Sequence, residues 1–206
     1  CPDVVQTLNK FCLLNEKFTN EMVDGALFPE LVERYDVQSV PLVFLDEVLF
    51  AGGKISVASL TEKIQAMGDI PVEPRRELPT QDVTVVGGGP AGISAAIYAV
   101  RKGLKVTLIC EELGGQVKET LGIENFISVN YTTGDKLTQS MTEHLTSYGV
   151  TLRENSRVAQ IEKGHLKSVV LASGEIVDTR SLVIASGAKW RELGVPGEKE
   201  NLGMGV

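Results

Sequence analysis

Val83-Thr84-Val85-Val86-Gly87-Gly88-Gly89-Pro90-Ala91-Gly92 decides how the rest of this chain is read. The first four residues form an apolar, β-branched run, the next six a glycine turn. Ile93, Ala96, Ile97 and Val100 then recur at helical spacing. Strand, glycine turn and helix start stand in the order that a dinucleotide pyrophosphate site requires. Gly87 permits the tight turn, Gly89 lets the backbone approach phosphates, and Gly92 allows close packing of helix on strand. The amide groups and dipole at the helix start favour negative charge. The same uncharged stretch is long enough to raise the question of a membrane span. Its central glycines and Pro90, and its change of period from two to 3.6, predict a buried βα unit instead.

Working outward, the chain has 206 residues, 43% of them apolar and 23% charged, which suits a soluble globular protein of one or two domains. The net charge of −7 argues against nucleic acid and against anionic membrane surfaces. Three cysteines, Cys1, Cys12 and Cys110, are too few and too scattered for a secreted disulfide framework. No basic segment opens the chain as in a signal peptide, so a cytoplasmic setting is expected. Cys12, on the apolar face of a helix, and Cys110, ending a strand, read as small core residues. His144 and His165 stand apart from any ligand cluster, so no metal site is expected. The chain starts at Cys1 without Met and stops in a glycine-rich stretch, and both ends are expected to be cut.

Three regions follow from the patterning. Residues 1–67 form a first unit, 68–82 a linker, and 83–206 a second unit. In the first, helices are predicted to Leu14 and over Phe28 to Tyr35. Lys17 to Val23 reads as a strand, and Val40–Leu45 with Glu47–Phe50 as a hairpin. Ser56 caps a last helix. Pro71, Pro74 and Pro79, with Arg75-Arg76-Glu77 between them, predict a solvated, semi-stiff linker. Beyond Val100 come a strand over Lys105–Ile109, a helix over Lys136–Tyr148 and a short strand at Val150–Leu152. A β meander and a separate buried strand over Leu182–Ala185 complete the pattern.

Glu111 lies 24 positions after Gly87, at the end of the second strand of this unit, where an acid normally accepts hydrogen bonds from adenosine ribose hydroxyls. A solvated loop carboxylate is the bland alternative, and Glu112 is the other candidate acceptor. Gly114-Gly115-Gln116 follows, a turn whose amides and side chain suit a ligand at the carboxyl end of a strand.

With Gly87-x-Gly89-x-x-Gly92, Gly114-Gly115-Gln116, Ile123-Glu124-Asn125-Phe126 and Ile184-Ala185-Ser186-Gly187-Ala188 in this order, the second unit resembles the start of the FAD domain of low-molecular-weight thioredoxin reductases. Ala188-Lys189-Trp190-Arg191 and Val195-Pro196-Gly197-Glu198 sharpen the resemblance. With the first unit, they point to the flavoprotein subunits of alkyl hydroperoxide reductases. The implied fold is α/β, a thioredoxin-like domain followed by the first part of a Rossmann-like FAD-binding domain with a β meander.

The resemblance implies that Gly87, Gly89, Pro90, Ala91 and Gly92 hold the FAD pyrophosphate and Glu111 the ribose. Gly114, Gly115, Gln116 and Asn125 would lie along the flavin side, Val158 would meet the adenine through its backbone, and Ala185-Ser186-Gly187 would form a second FAD-contacting turn. Cys1 matches the second cysteine of a Cys-x-x-Cys redox pair, and Val40-Pro41 a cis-proline facing it. Trp190 reads equally as a packing residue or a flavin-proximal one. The implied activity is disulfide reduction in which electrons pass from NADH or NADPH through FAD and cysteine pairs to a peroxiredoxin, in hydroperoxide removal by a homodimer. Thioredoxin is the alternative acceptor, and a non-catalytic flavin-binding relative the alternative class. The 206 residues alone are expected to bind FAD poorly and to lack turnover.

Overall fold

The computed structural model describes residues 2–53, 55, 57–68, 73–188 and 195. Cys1, Ser56 and Trp190 lie outside the described residues. Two compact units divide the described residues, the first running up to residue 60 and the second over 61–188.

In the first unit, helix α1 (Pro2–Leu14) and the short α2 (Pro29–Arg34) precede an antiparallel hairpin of β1 (Leu42–Leu45) and β2 (Val48–Gly52). Helix α3 (Val57–Gly68) starts here. Val4, Val43, Ala51 and Leu60 form its core, with Leu8, Phe11, Phe50 and Ile55 packed around them. Asp46 and Glu47 both have positive φ, 48° and 66°, the hand that lets a two-residue loop follow the strand twist. Glu47 therefore turns the hairpin instead of opening its second strand. The Val40–Pro41 peptide is cis. Lys17 to Val23, predicted as a strand, forms none. Its alternation finds no strand edge to pair with among the described residues, and a lone strand is not stable in water.

The second unit is a six-stranded sheet in the order β5-β4-β3-β8-β7-β6. Strands β3 (Gln81–Val86), β4 (Val106–Ile109) and β5 (Thr151–Arg153) run parallel, each crossover carrying a helix: α4 (Pro90–Val100), then α5 (Gly134–Ser147). Strands β6 (Val158–Glu162), β7 (Lys167–Leu171) and β8 (Ile176–Ile184) form an antiparallel meander. Strand β8 then returns along β3 in parallel. Successive side chains go to opposite faces. Val85 and Leu108 pack with Ile93, Ala96 and Ile97 of α4 and Leu145 of α5. Ile109 packs with Val169, Leu171 and Val177 of the meander, with Val86 and Leu182 against them. All four residues of β4 are buried because both faces are covered.

Two expectations change here. The separate strand over Leu182–Ala185 is the far end of a nine-residue β8, and Val183 and Ile184 are exposed. Thr179 pairs with both Lys167 and Gln81, so the strand changes neighbour without interruption. The described part of the proline-containing stretch is exposed but tied down. Arg75 exchanges backbone hydrogen bonds with Gly174 and Ile176, and Arg76 Nε donates to Asp178 Oδ2 at 2.8 Å. That contact, with Ser168 Oγ donating to Asp178 at 2.6 Å, holds the Asp178 carboxyl below its ordinary range, the Ser168 bond contributing most.

Candidate functional site

The carboxyl ends of β3, β4 and β8 open into a cleft of about 560 Å³, the place where parallel sheets of this kind take ligands. Its wall consists of Val86 to Ala91, Ile109 to Glu112, Gly115 to Val117, Ser156 to Val158 and Ala185 to Ala188. Of the residues singled out from sequence, Gly87, Gly89, Pro90, Ala91, Glu111, Gly115, Gln116, Val158, Ala185, Ser186 and Gly187 line it. Gly92 and Gly114 stand behind the wall, and Asn125 lies exposed in the loop after the cleft's 3₁₀ turn (Gly115–Glu119).

The glycines do different things. Gly87 has φ +120°, and a Cβ there would lie 2.1 Å from the Ala185 carbonyl oxygen, so the β3 and β8 ends close only around glycine. A Cβ on Gly92 would lie 1.9 Å from the Gly87 oxygen, which sets how near α4 comes to the strand. Gly89 is unlike both. Its backbone is extended (φ −78°, ψ 179°), which any residue adopts, and a Cβ would meet nothing within 4 Å. The protein's own packing gives no reason for glycine at this position. A ligand brought against the backbone does, and the α4 N-terminus beside it has amides that helical bonding leaves unused. The chemistry of this cradle fits a pyrophosphate.

The remaining wall is held by hydrogen bonds. Gly114 N donates to the Gly88 oxygen at 2.8 Å, and Gln116 Nε2 donates to the Ala188 oxygen at 2.7 Å, joining the 3₁₀ turn to the segment after β8. Gly88, which the motif does not single out, sits against the β4 end; a Cβ would come 2.7 Å from the Glu112 oxygen. Glu112 pairs with Lys118. Glu111 pairs with Arg157, whose Nε donates to Oε1 at 3.1 Å and Nη2 to Oε2 at 3.3 Å. The Glu111 hydrogen bonds push the Arg157 pKa up. Arg157 escapes a reading of the sequence because no local spacing joins it to Glu111; the β4–β5 pairing does.

Cys110 is 5% exposed, and burial, aided by Glu154, Glu112 and Glu111, pushes its thiol up to about 12. Such a thiol is no nucleophile at neutral pH. Among the described residues no three His, Cys, Asp or Glu gather as metal ligands, and no helix is long and apolar enough to cross a membrane.

Comparison with known proteins agrees with this geometry. Residues 81–206 match the family described as pyridine nucleotide-disulphide oxidoreductase, whose members use FAD and NAD(P)H. A protein of Ferdinandcohnia aciditolerans named NADH dehydrogenase is 40% identical over 206 residues, all of this chain and 39% of that protein. The F subunit of the Pseudomonas aeruginosa alkyl hydroperoxide reductase is 42% identical over 213 residues, covering all of this chain and 40% of that protein. The chain thus spans about two fifths of the length of these relatives. The crystal structure of Lactococcus lactis thioredoxin reductase superposes with a TM-score of 0.57 at 34% identity, over 60% of this chain and 41% of that one. With the glycine cleft in place and more than half of its length matched, the chain belongs to the pyridine nucleotide-disulphide oxidoreductase family.

Proposed function

We propose that this chain holds the adenosine diphosphate part of FAD in an NAD(P)H-dependent disulfide reductase whose electrons go to a peroxiredoxin. The observation that carries the reading is Gly89, a glycine that neither its conformation nor its neighbours require, at the mouth of a helix N-terminus. In this reading Gly87 to Gly92 take the pyrophosphate and Glu111 the ribose diol. Val158 offers its backbone to the adenine. Gly114, Gly115, Gln116 and Asn125 lie toward the flavin, and Ala185-Ser186-Gly187 close the opposite wall. FAD supplies the two-electron relay between nicotinamide and disulfide; the protein supplies position and electrostatics. Burial of Cys110 keeps a stray thiol beside the cleft out of the exchange.

The acceptor is inferred from residues 1–80, outside the family match. They align over their whole length with relatives named as the F subunits of alkyl hydroperoxide reductases, as they do with relatives named NADH dehydrogenase, and the reading takes the acceptor from the former. That supports residues 1–67 as a thioredoxin-like unit, with Cys1 as one half of its redox pair. Titrating the chain with ADP and with FAD, followed by calorimetry, tests the site. Both should bind in mutual competition, and Gly89→Val should abolish both while the protein still unfolds cooperatively. Equal binding by Gly89→Val would refute the site.

A further inference from the structure

We propose that Arg157 is a positioning residue for the adenosine end of this cleft, holding the Glu111 carboxylate in the orientation that accepts the ribose hydroxyls. The inference rests on the nucleotide reading above. Both side chains stand in the cleft wall, and two parallel N–H donors meet the two carboxylate oxygens at 3.1 and 3.3 Å. This fork fixes the plane of the carboxylate, which a single contact leaves free to rotate.

The backbone beneath is fixed as well. Asn155 N donates to the Glu111 oxygen at 3.2 Å and Ser156 N to the Cys110 oxygen at 2.9 Å, while the Arg157 oxygen accepts from Ala172 N at 2.9 Å. Asn155, at φ +55°, turns the chain back after β5 so that Arg157 faces the end of β4. An ionised carboxylate only accepts, through two oxygens that carry about four lone-pair sites, and ribose hydroxyls are donors of the matching kind. Arg157 Nη1 also donates to Glu62 of the same unit at 3.0 Å, which offers a purely structural role as the rival.

Affinities for ADP and for 2′,3′-dideoxy-ADP, measured calorimetrically, separate the two roles. The wild-type chain should prefer ADP by about tenfold or more, the scale of one good charge-assisted contact. Arg157→Ala should lose that preference while its affinity for the dideoxy nucleotide stays within about twofold. Arg157→Lys, which keeps charge without the fork, should retain part of it and guards against misfolding of the alanine variant. Glu111→Gln should lose the preference whether or not Arg157 is present. Glu62→Gln should leave both affinities unchanged. An Arg157→Ala variant that weakens both nucleotides equally, or keeps the ADP preference, would overturn the proposal. A wild-type chain that binds neither ADP nor FAD would overturn the nucleotide reading itself.

Discussion

Three glycines of one turn separate packing from ligand approach, and they can be tested against each other. Gly92→Ala forces a Cβ onto the Gly87 oxygen and should lower unfolding stability by about 1–3 kcal/mol in urea titration, as strained or overpacked sites do. Gly89→Ala meets no protein atom and loses only the N-cap preference of glycine over alanine, so its stability should fall less than that of Gly92→Ala while ADP affinity falls. A Gly89→Ala destabilised as much as Gly92→Ala would mean that the turn itself needs glycine there. Cys110 carries a second test. Its thiol is raised from 9.0 to about 12 in the folded chain. Below pH 9 both states keep the proton. As pH rises from 9 toward 12 the unfolded chain ionises first, so this share of stability is lost. Cys110→Ala should therefore lose stability less steeply than wild type between pH 9 and 10.5, as read by urea unfolding at each pH. Parallel profiles would mean the thiol titrates alike in both states.

At the scale of elements, helix α5 positions the cleft from behind. Its first residue, Gly134, lies so close to the 3₁₀ turn that a Cβ would come 2.0 Å from the Val117 oxygen. Gly134→Ala should displace that turn, with Gly115 and Gln116, from its place in the cleft wall. Stability should fall by about 1–3 kcal/mol and ADP affinity with it; loss of stability alone would show that the turn does not report to the site. The apolar period places this helix start two residues late, at Lys136, because Gly134 and Asp135 interrupt it. Thr133 is the cap, its hydroxyl accepting from Lys136 N at 3.4 Å. Elements with a complete local pattern are legible in the sequence: β3 and β4 fall within two residues of the expected bounds, and α4 contains the whole helical pattern from Ile93 to Val100. What fails depends on partners. The meander's last strand and the strand over Leu182–Ala185 read as separate, yet they are one strand because β7 and β3 take it up in turn. Lys17 to Val23 has the alternation but no edge to pair with among the described residues. The same logic hides Arg157 while the glycine turn is plain, since the turn's chemistry lies in neighbours along the chain.

For the whole molecule, the family's chemistry needs more than one cleft. A dithiol cycle requires two thiols in reach of each other, one attacking and one resolving. This sequence carries Cys1, Cys12 and Cys110. Cys12 Sγ lies 3.6 Å from the Leu8 oxygen within α1, and Cys110 is sealed against the sheet. Nicotinamide oxidation also needs a dinucleotide site besides the one that holds FAD, and the described residues contain a single strand–glycine–helix element, at Gly87 to Gly92. The 206 residues alone should therefore bind ADP yet show no NADH- or NADPH-dependent reduction of an aromatic disulfide when FAD is added. Turnover is followed by release of the coloured thiolate and by loss of nicotinamide absorbance. Turnover above the flavin-only control, abolished by Cys1→Ser, would show that these residues complete the cycle by themselves. Its absence, together with ADP binding, would assign these residues the nucleotide-holding step and not the whole cycle.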